Sequence, residues 1–79
     1  MTEFKIDKEV DLKGMNCPIP LVHLGREIAT LPVGGVLRAV TNDPACVSDV
    51  VAWANTMGHE VLETQHIGQE HSFVIRRAQ

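Results

Sequence analysis

No apolar run in this chain approaches the ~18 to 20 residues needed to cross a bilayer. The opening stretch, Met-Thr-Glu-Phe-Lys-Ile-Asp-Lys-Glu, also lacks the apolar centre of a signal peptide. A cytoplasmic protein with no membrane role is expected. Basic residues are few: seven lysines and arginines against ten acidic residues give a formal charge of −3, and apart from Arg76 and Arg77 they are scattered. Direct nucleic-acid binding draws on clustered positive charge and is not expected. The two cysteines, Cys17 and Cys46, are too few for a disulfide framework. Their spacing fits neither a zinc site nor a Cys-x-x-Cys pair, so reduced thiols are expected. No glycine-rich phosphate loop opens a helix, because Gly34-Gly35 leads into a strand-like run, and nucleotide binding has no support. Linkers, repeats and low-complexity tracts are absent as well, so residues 1–79 are expected to form one domain with residues 1–8 frayed.

What remains is an ordinary globular composition, 44% hydrophobic and 22% charged. A chain of this length buries about 60 to 65 per cent of its unfolded surface, which leaves a thin core and no enclosed substrate cavity. Residues 10–12 read as a short strand. From Pro18 a helical wheel gathers Leu21, Val22, Leu24, Gly25, Ile28, Ala29 and Leu31 on one half, with Ile19, His23, Arg26, Glu27 and Thr30 opposite. Gly25 there either lets the helix approach a sheet closely or is simply tolerated. Pro32-Val33-Gly34-Gly35 ends this helix, and residues 36–41 follow as a β-branched central strand. Asn42-Asp43-Pro44-Ala45 then starts a second helix, with Asp43 as N-cap, that runs to about Met57. After Gly58, residues 61–67 and 71–77 flank Gly68-Gln69-Glu70 as a hairpin. The order is β-α-β-α-β-β. It predicts an α/β two-layer sandwich: a four-stranded mixed sheet with two helices packed on one face.

The stretch that carries chemistry is residues 13–23, centred on Cys17-Pro18-Ile19-Pro20. Gly14 permits a sharp bend after the first strand and delivers Cys17 to the N-cap of the first helix. Pro18 suits the first helical position, where its missing N–H costs nothing. Pro20 removes a second first-turn donor and stiffens the turn. A thiolate at Cys17 would accept from the few remaining amides and sit in the positive field of the helix, worth about 0.3–1 kcal/mol. That setting lowers a thiol's pKa and makes a nucleophile of it. Lys13 and His23 are the cations nearest in sequence that would extend the effect.

The other candidates are weaker. Cys46 lies inside the apolar arc of the second helix, beside the capping carboxylate of Asp43, and is expected to pack as a small apolar residue, with a role as second thiol left open. His66 and His71 can meet across the hairpin, but no third ligand fits with them, so His59, His66 and His71 read as surface histidines and no metal or other cofactor is expected. Asp11, Glu60, Glu63 and Glu70 read as solvated charges.

Cys17-Pro18-Ile19-Pro20 resembles the Cys-Pro-x-Pro mark of the TusA/SirA-like sulfur-carrier proteins. The likeness extends to Asp11-Leu12-Lys13-Gly14, Asn42-Asp43-Pro44-Ala45, Gly58-His59-Glu60 and Phe73-Val74-Ile75-Arg76. It implies a two-layer α/β sandwich and a sulfurtransferase role in which Cys17 carries sulfane sulfur as a persulfide or thiosulfate adduct. Its partners would be a sulfur-donor protein of cysteine desulfurase or rhodanese type and an acceptor protein. Family relays of this kind serve tRNA thiolation, molybdenum cofactor maturation or sulfur oxidation. The chain departs from many members in carrying Cys46 and in having only Arg26 as a basic residue on the first helix. Two other readings compete: a noncatalytic interaction or regulatory module using the face around Ile19, His23 and Arg26, and a thiol-disulfide protein using Cys17 and Cys46.

Overall fold

The structure is a computed structural model that describes residues 5–16 and 19–79. Its elements are β1 (Lys8–Asp11), α1 (Ile19–Ala29), β2 (Val36–Thr41), α2 (Ala45–Thr56), β3 (Glu60–Ile67) and β4 (Glu70–Arg76). They follow the expected β-α-β-α-β-β order. The strands form one mixed sheet in the spatial order β1-β2-β4-β3, with β1 parallel to β2 and the other two pairings antiparallel.

Side chains alternate across a strand, so one face of the sheet collects every second residue. Leu37 pairs with Ile75 and Ala39 with Phe73, and these four join Val10, Leu12, Leu24, Ile28, Val50 and Ala54 in one core between the sheet and both helices. Two layers therefore share a single apolar seam, and complete burial of a Leu or Phe there is worth about 1.5–3 kcal/mol. On α1 the buried residues are Pro20, Leu24 and Ile28, spaced four apart. The seam thus lies to one side of the expected arc: Val22, placed inward on the wheel, is 53% exposed, and Pro20, read only as a stiffener, packs into the core. Nothing lies within 4 Å of a Cβ built on Gly25, so close approach to the sheet is not its role.

The parallel β1–β2 pair organises the molecule. Both strands run the same way and both lead into helices, so the two helix starts lie at one end of the sheet. The β3–β4 turn lies there too, because Thr41 at the end of β2 pairs with His71 at the start of β4. That turn has two residues, Gly68 and Gln69, and only Gly68 has positive φ (62°), as in a type II′ turn. We refer to this as the motif end.

At the opposite end the chain is laced shut. Asp7 donates its N–H to the Val36 carbonyl and accepts from the Val36 N–H at 3.0 Å. The segment expected to be frayed through residue 8 is therefore held at Asp7, and β1 already begins at Lys8. Arg77 exchanges backbone hydrogen bonds with Gly34 and Gly35, and its guanidinium donates to the Leu31 carbonyl beyond the end of α1. Those bonds satisfy carbonyls that a helix end would otherwise leave to water. His59, expected at the surface, is buried under the same closure: only 9% exposed, it accepts from the Ala78 N–H at Nδ1 and lies 5.7 Å from the Trp53 ring.

Candidate functional site

The two loops that leave β1 and β2 at the motif end are built from short-range polar contacts. In the first, the Asp11 carboxylate accepts from the Lys13 N–H at 2.9 Å, and Gly14 turns the chain with φ of 83°. Space around Gly14 is open, so glycine is required there by backbone conformation alone. The Ile19 N–H then closes a turn onto the Asn16 carbonyl at 3.0 Å. Cys17 and Pro18, the centre of the expected site, lie outside the described residues. Pro20 follows in the first turn of α1, buried.

The second loop repeats the design with other residues. Thr41, fully buried, accepts from the Asp43 N–H through its hydroxyl at 3.1 Å, and Asp43 accepts from the Ala45 N–H at 3.0 Å. Pro44 already has helical angles, φ −62° and ψ −24°, so Asp43 occupies the capping position that its sequence context suggested. A hydrogen bond from the Gly14 N–H to the Asn42 side chain at 3.2 Å ties the two loops together. Asn42, read from the sequence only as part of the second helix start and of the family likeness, is thus also the tie between the loops.

Cys46 lies in the first turn of α2 with none of its surface exposed. Its sulfur is 3.6 Å from Asp43 Oδ2 and is engaged in a disulfide bond. The expectation of reduced thiols fails at this position. A bridged sulfur has no proton to donate, so the approach to Asp43 is a contact in this form and becomes an S–H···O hydrogen bond only on reduction.

Around these loops the surface is polar and open. Lys13, a candidate cation, faces Glu70 at 3.5 Å, and His23 is half-buried on α1. His66 and His71 pair across the hairpin with their rings stacked at 4.3 Å. Together with Asn42, Pro44 and Gln69 they line an open groove of about 440 Å³. Among the described residues no three His, Cys, Asp or Glu side chains are grouped to hold a metal. No helix among them is long and apolar enough to cross a membrane. On the neighbouring face Ile19 and Val22, each 53% exposed, form an apolar spot on the first turns of α1, next to His23 and Arg26.

Comparison with known proteins identifies the family of the chain. The family described as "Sulfurtransferase TusA" matches residues 8–77. The chain belongs to the TusA family. It is 34% identical over 77 residues to the sulfur carrier protein TusA of Pseudomonas putida (strain GB-1), covering 98% of this chain and 96% of that one. It is 32% identical over 72 residues to the sulfur carrier protein TusA of Allochromatium vinosum, covering 91% and 95% of the two chains. With the putative sulfur carrier protein YrkI of Bacillus subtilis it shares 33% identity over 73 residues, covering 92% and 97%. The crystal structure of a SirA-like protein from Desulfitobacterium hafniense superposes with a TM-score of 0.79 at 22% identity, covering 91% of this chain and 99% of that one. That last likeness is one of fold, and it places the TusA-family chain in the same α/β sandwich.

Proposed function

We propose that this chain is a sulfur carrier in which Cys17 accepts sulfane sulfur from a donor protein and passes it to an acceptor protein. The observation that carries the reading is the Cys-Pro-Ile-Pro motif at residues 17–20, which follows a glycine turn and runs into α1 in a chain of the TusA family. The Cys17 thiolate attacks the outer sulfur of a donor persulfide. A bond forms between Cys17 Sγ and that sulfur, the donor's S–S bond breaks, and the donor cysteine departs as thiolate. In the second transfer an acceptor thiolate attacks the same outer sulfur and Cys17 leaves as thiolate. Nothing is oxidised or reduced overall, so no cofactor is called for.

In this scheme the protein supplies position, a lowered thiol pKa from the helix field and surfaces for two partners in turn. The apolar spot of Ile19 and Val22 and the open groove of His66, His71 and Asn42 flank the motif loop and give a donor and an acceptor somewhere to dock. The cargo reaches one of the downstream uses the family serves, tRNA thiolation or sulfur oxidation among them.

Intact mass spectrometry of the reduced protein after incubation with a persulfide donor, and separately with thiosulfate or tetrathionate, tests the proposal. A reductant-reversible adduct of one sulfur atom, absent in Cys17→Ala, is expected, and its mass names the sulfur species. Sulfur uptake by Cys17→Ala equal to that of the unaltered chain would overturn it. The competing interaction-module reading instead requires partner binding through Ile19, His23 and Arg26 that survives Cys17→Ser.

A further inference from the structure

Cys46 is not needed by the carrier scheme, yet its sulfur is bonded and its position is built with care. It is fully buried in the first turn of α2, so another protein's thiol cannot reach it without opening the fold. A bridge made within the chain has one other cysteine to go to, Cys17. Parallel pairing of β1 with β2 sets the loops that follow them side by side, and the hydrogen bond from Gly14 to Asn42 joins those loops just before the two cysteine positions. Asn16 and Ile19, which bracket Cys17, close their own turn at the same end.

We propose that Cys46 is a resolving thiol for Cys17, one that discharges an undelivered persulfide as hydrosulfide and leaves the two cysteines bridged. The inference rests on the persulfide reading of Cys17. In the step, Cys46 Sγ attacks Cys17 Sγ of the persulfide. A bond forms between the two cysteine sulfurs, the bond from Cys17 to the outer sulfur breaks, and the electron pair leaves with that outer sulfur, which takes up the Cys46 proton as hydrogen sulfide. The sulfane sulfur is reduced and the two cysteine sulfurs are oxidised, so the cargo is itself the oxidant. In the reverse direction hydrosulfide attacks Cys17 of the bridged form, releases Cys46 as thiol and loads the carrier from inorganic sulfide. A dithiol reductant, small-molecule or protein, resets the bridged form without cargo.

Burial gives the device its order of events. An acceptor protein attacks the outer sulfur from solvent, whereas Cys46 attacks the inner sulfur from within the fold. Transfer and discharge therefore compete for one persulfide through different atoms. Asp43, with Oδ2 at 3.6 Å from Cys46 Sγ, is the group placed to take the thiol proton as the attack proceeds and return it to the departing sulfur.

The test loads reduced protein from a persulfide donor, removes the donor, and follows hydrosulfide release together with intact mass and peptide mapping. Expected are release of one hydrosulfide per loaded chain, loss of two hydrogens from the reduced mass, and a peptide bridged between Cys17 and Cys46. Cys46→Ala and Cys46→Ser, checked for native circular dichroism, should hold their sulfur at least about tenfold longer. A second arm offers sodium hydrosulfide to the bridged wild-type chain and expects the Cys17 persulfide with one new thiol. Equal persistence of the sulfur in wild type and in a folded Cys46 variant overturns the proposal. So does discharge from the wild type that leaves two free thiols. Failure of the carrier reading is seen separately: neither the wild type nor the Cys46 variants take up sulfur from any donor, whatever bridge oxidised dithiothreitol produces.

Discussion

The two ends of the sheet are built on opposite principles. At the far end, Asp7 and Val36, Arg77 and Gly34-Gly35, and His59 and Ala78 are joined by hydrogen bonds that hold residues 7, 77 and 78 against the starts of β2 and β3. At the motif end the side-chain contacts that face solvent are single bonds, Lys13 with Asp11, Lys13 with Glu70 and Gly14 with Asn42, above the buried Thr41 hydroxyl. The core is shared, so the difference lies in the rims. One rim spends its polar groups on holding the fold, and the other leaves surface available for partners. In the proposed scheme, where Cys17 serves two proteins in succession, these far-end closures lie away from the cargo.

At the motif end a single change should abolish function with no effect on stability. Cys17→Ala should lose sulfur loading entirely while its thermal unfolding under reducing conditions matches the parent, read by mass spectrometry and calorimetry. The converse belongs to the far end: Arg77→Ala removes the hydrogen bonds to the Leu31 and Ala29 carbonyls and should cost about 1–3 kcal/mol in urea unfolding, with loading of the folded fraction unchanged. Gly14→Ala, forced to hold φ of 83°, should cost about 1–2 kcal/mol and, unlike Arg77→Ala, slow sulfur transfer as well.

His59 provides a pH test of the far end. Burial, and then the nearby Arg77 charge, lower its pKa from the ordinary 6.5. The folded chain therefore holds His59 neutral where the unfolded chain already binds a proton. Stability should be complete above pH 6.5 and fall as the pH drops from there toward the lowered folded value. His59→Gln should flatten that slope in urea titrations across the window. The smallest effect is expected from Glu60→Gln, which breaks an exposed pair with Arg76 and should change stability by less than about 1 kcal/mol.

How much of this was legible in the sequence depended on whether a residue's environment is set locally. Residues 36–41 form the expected strand because a β-branched run between Gly35 and Asn42 has one reading. The second helix begins where Asp43-Pro44 says it should. β1 starts earlier than expected, at Lys8, because Lys8, Glu9 and Asp11 give a strand whose polar side chains face water at the sheet edge and show no apolar alternation. The burial of His59 was invisible for a different reason: the residues that cover it, Arg77 and Ala78, come from the end of the chain, and no local pattern marks them as its neighbours. At the site, the glycine turn followed from the sequence, whereas Pro20, read there only as a stiffener, turned out to be buried in the first turn of α1. The hydrogen bond from Gly14 to Asn42 required the parallel pairing, and the engagement of Cys46 in a disulfide ran against the spacing rules used for short chains.

That parallel pairing also governs when the site comes into being. The β3–β4 hairpin closes through a two-residue turn and is local in the chain, so it can form early. β1 and β2 can pair only after the whole of α1 has been threaded between them, a closure with a larger entropic cost. Their docking is also what sets the two helix starts side by side. The motif end of this molecule is thus assembled by a contact far less local than the hairpin turn, so a substitution that delays β1 docking lowers the yield of protein with both helix starts in place before the hairpin itself is affected.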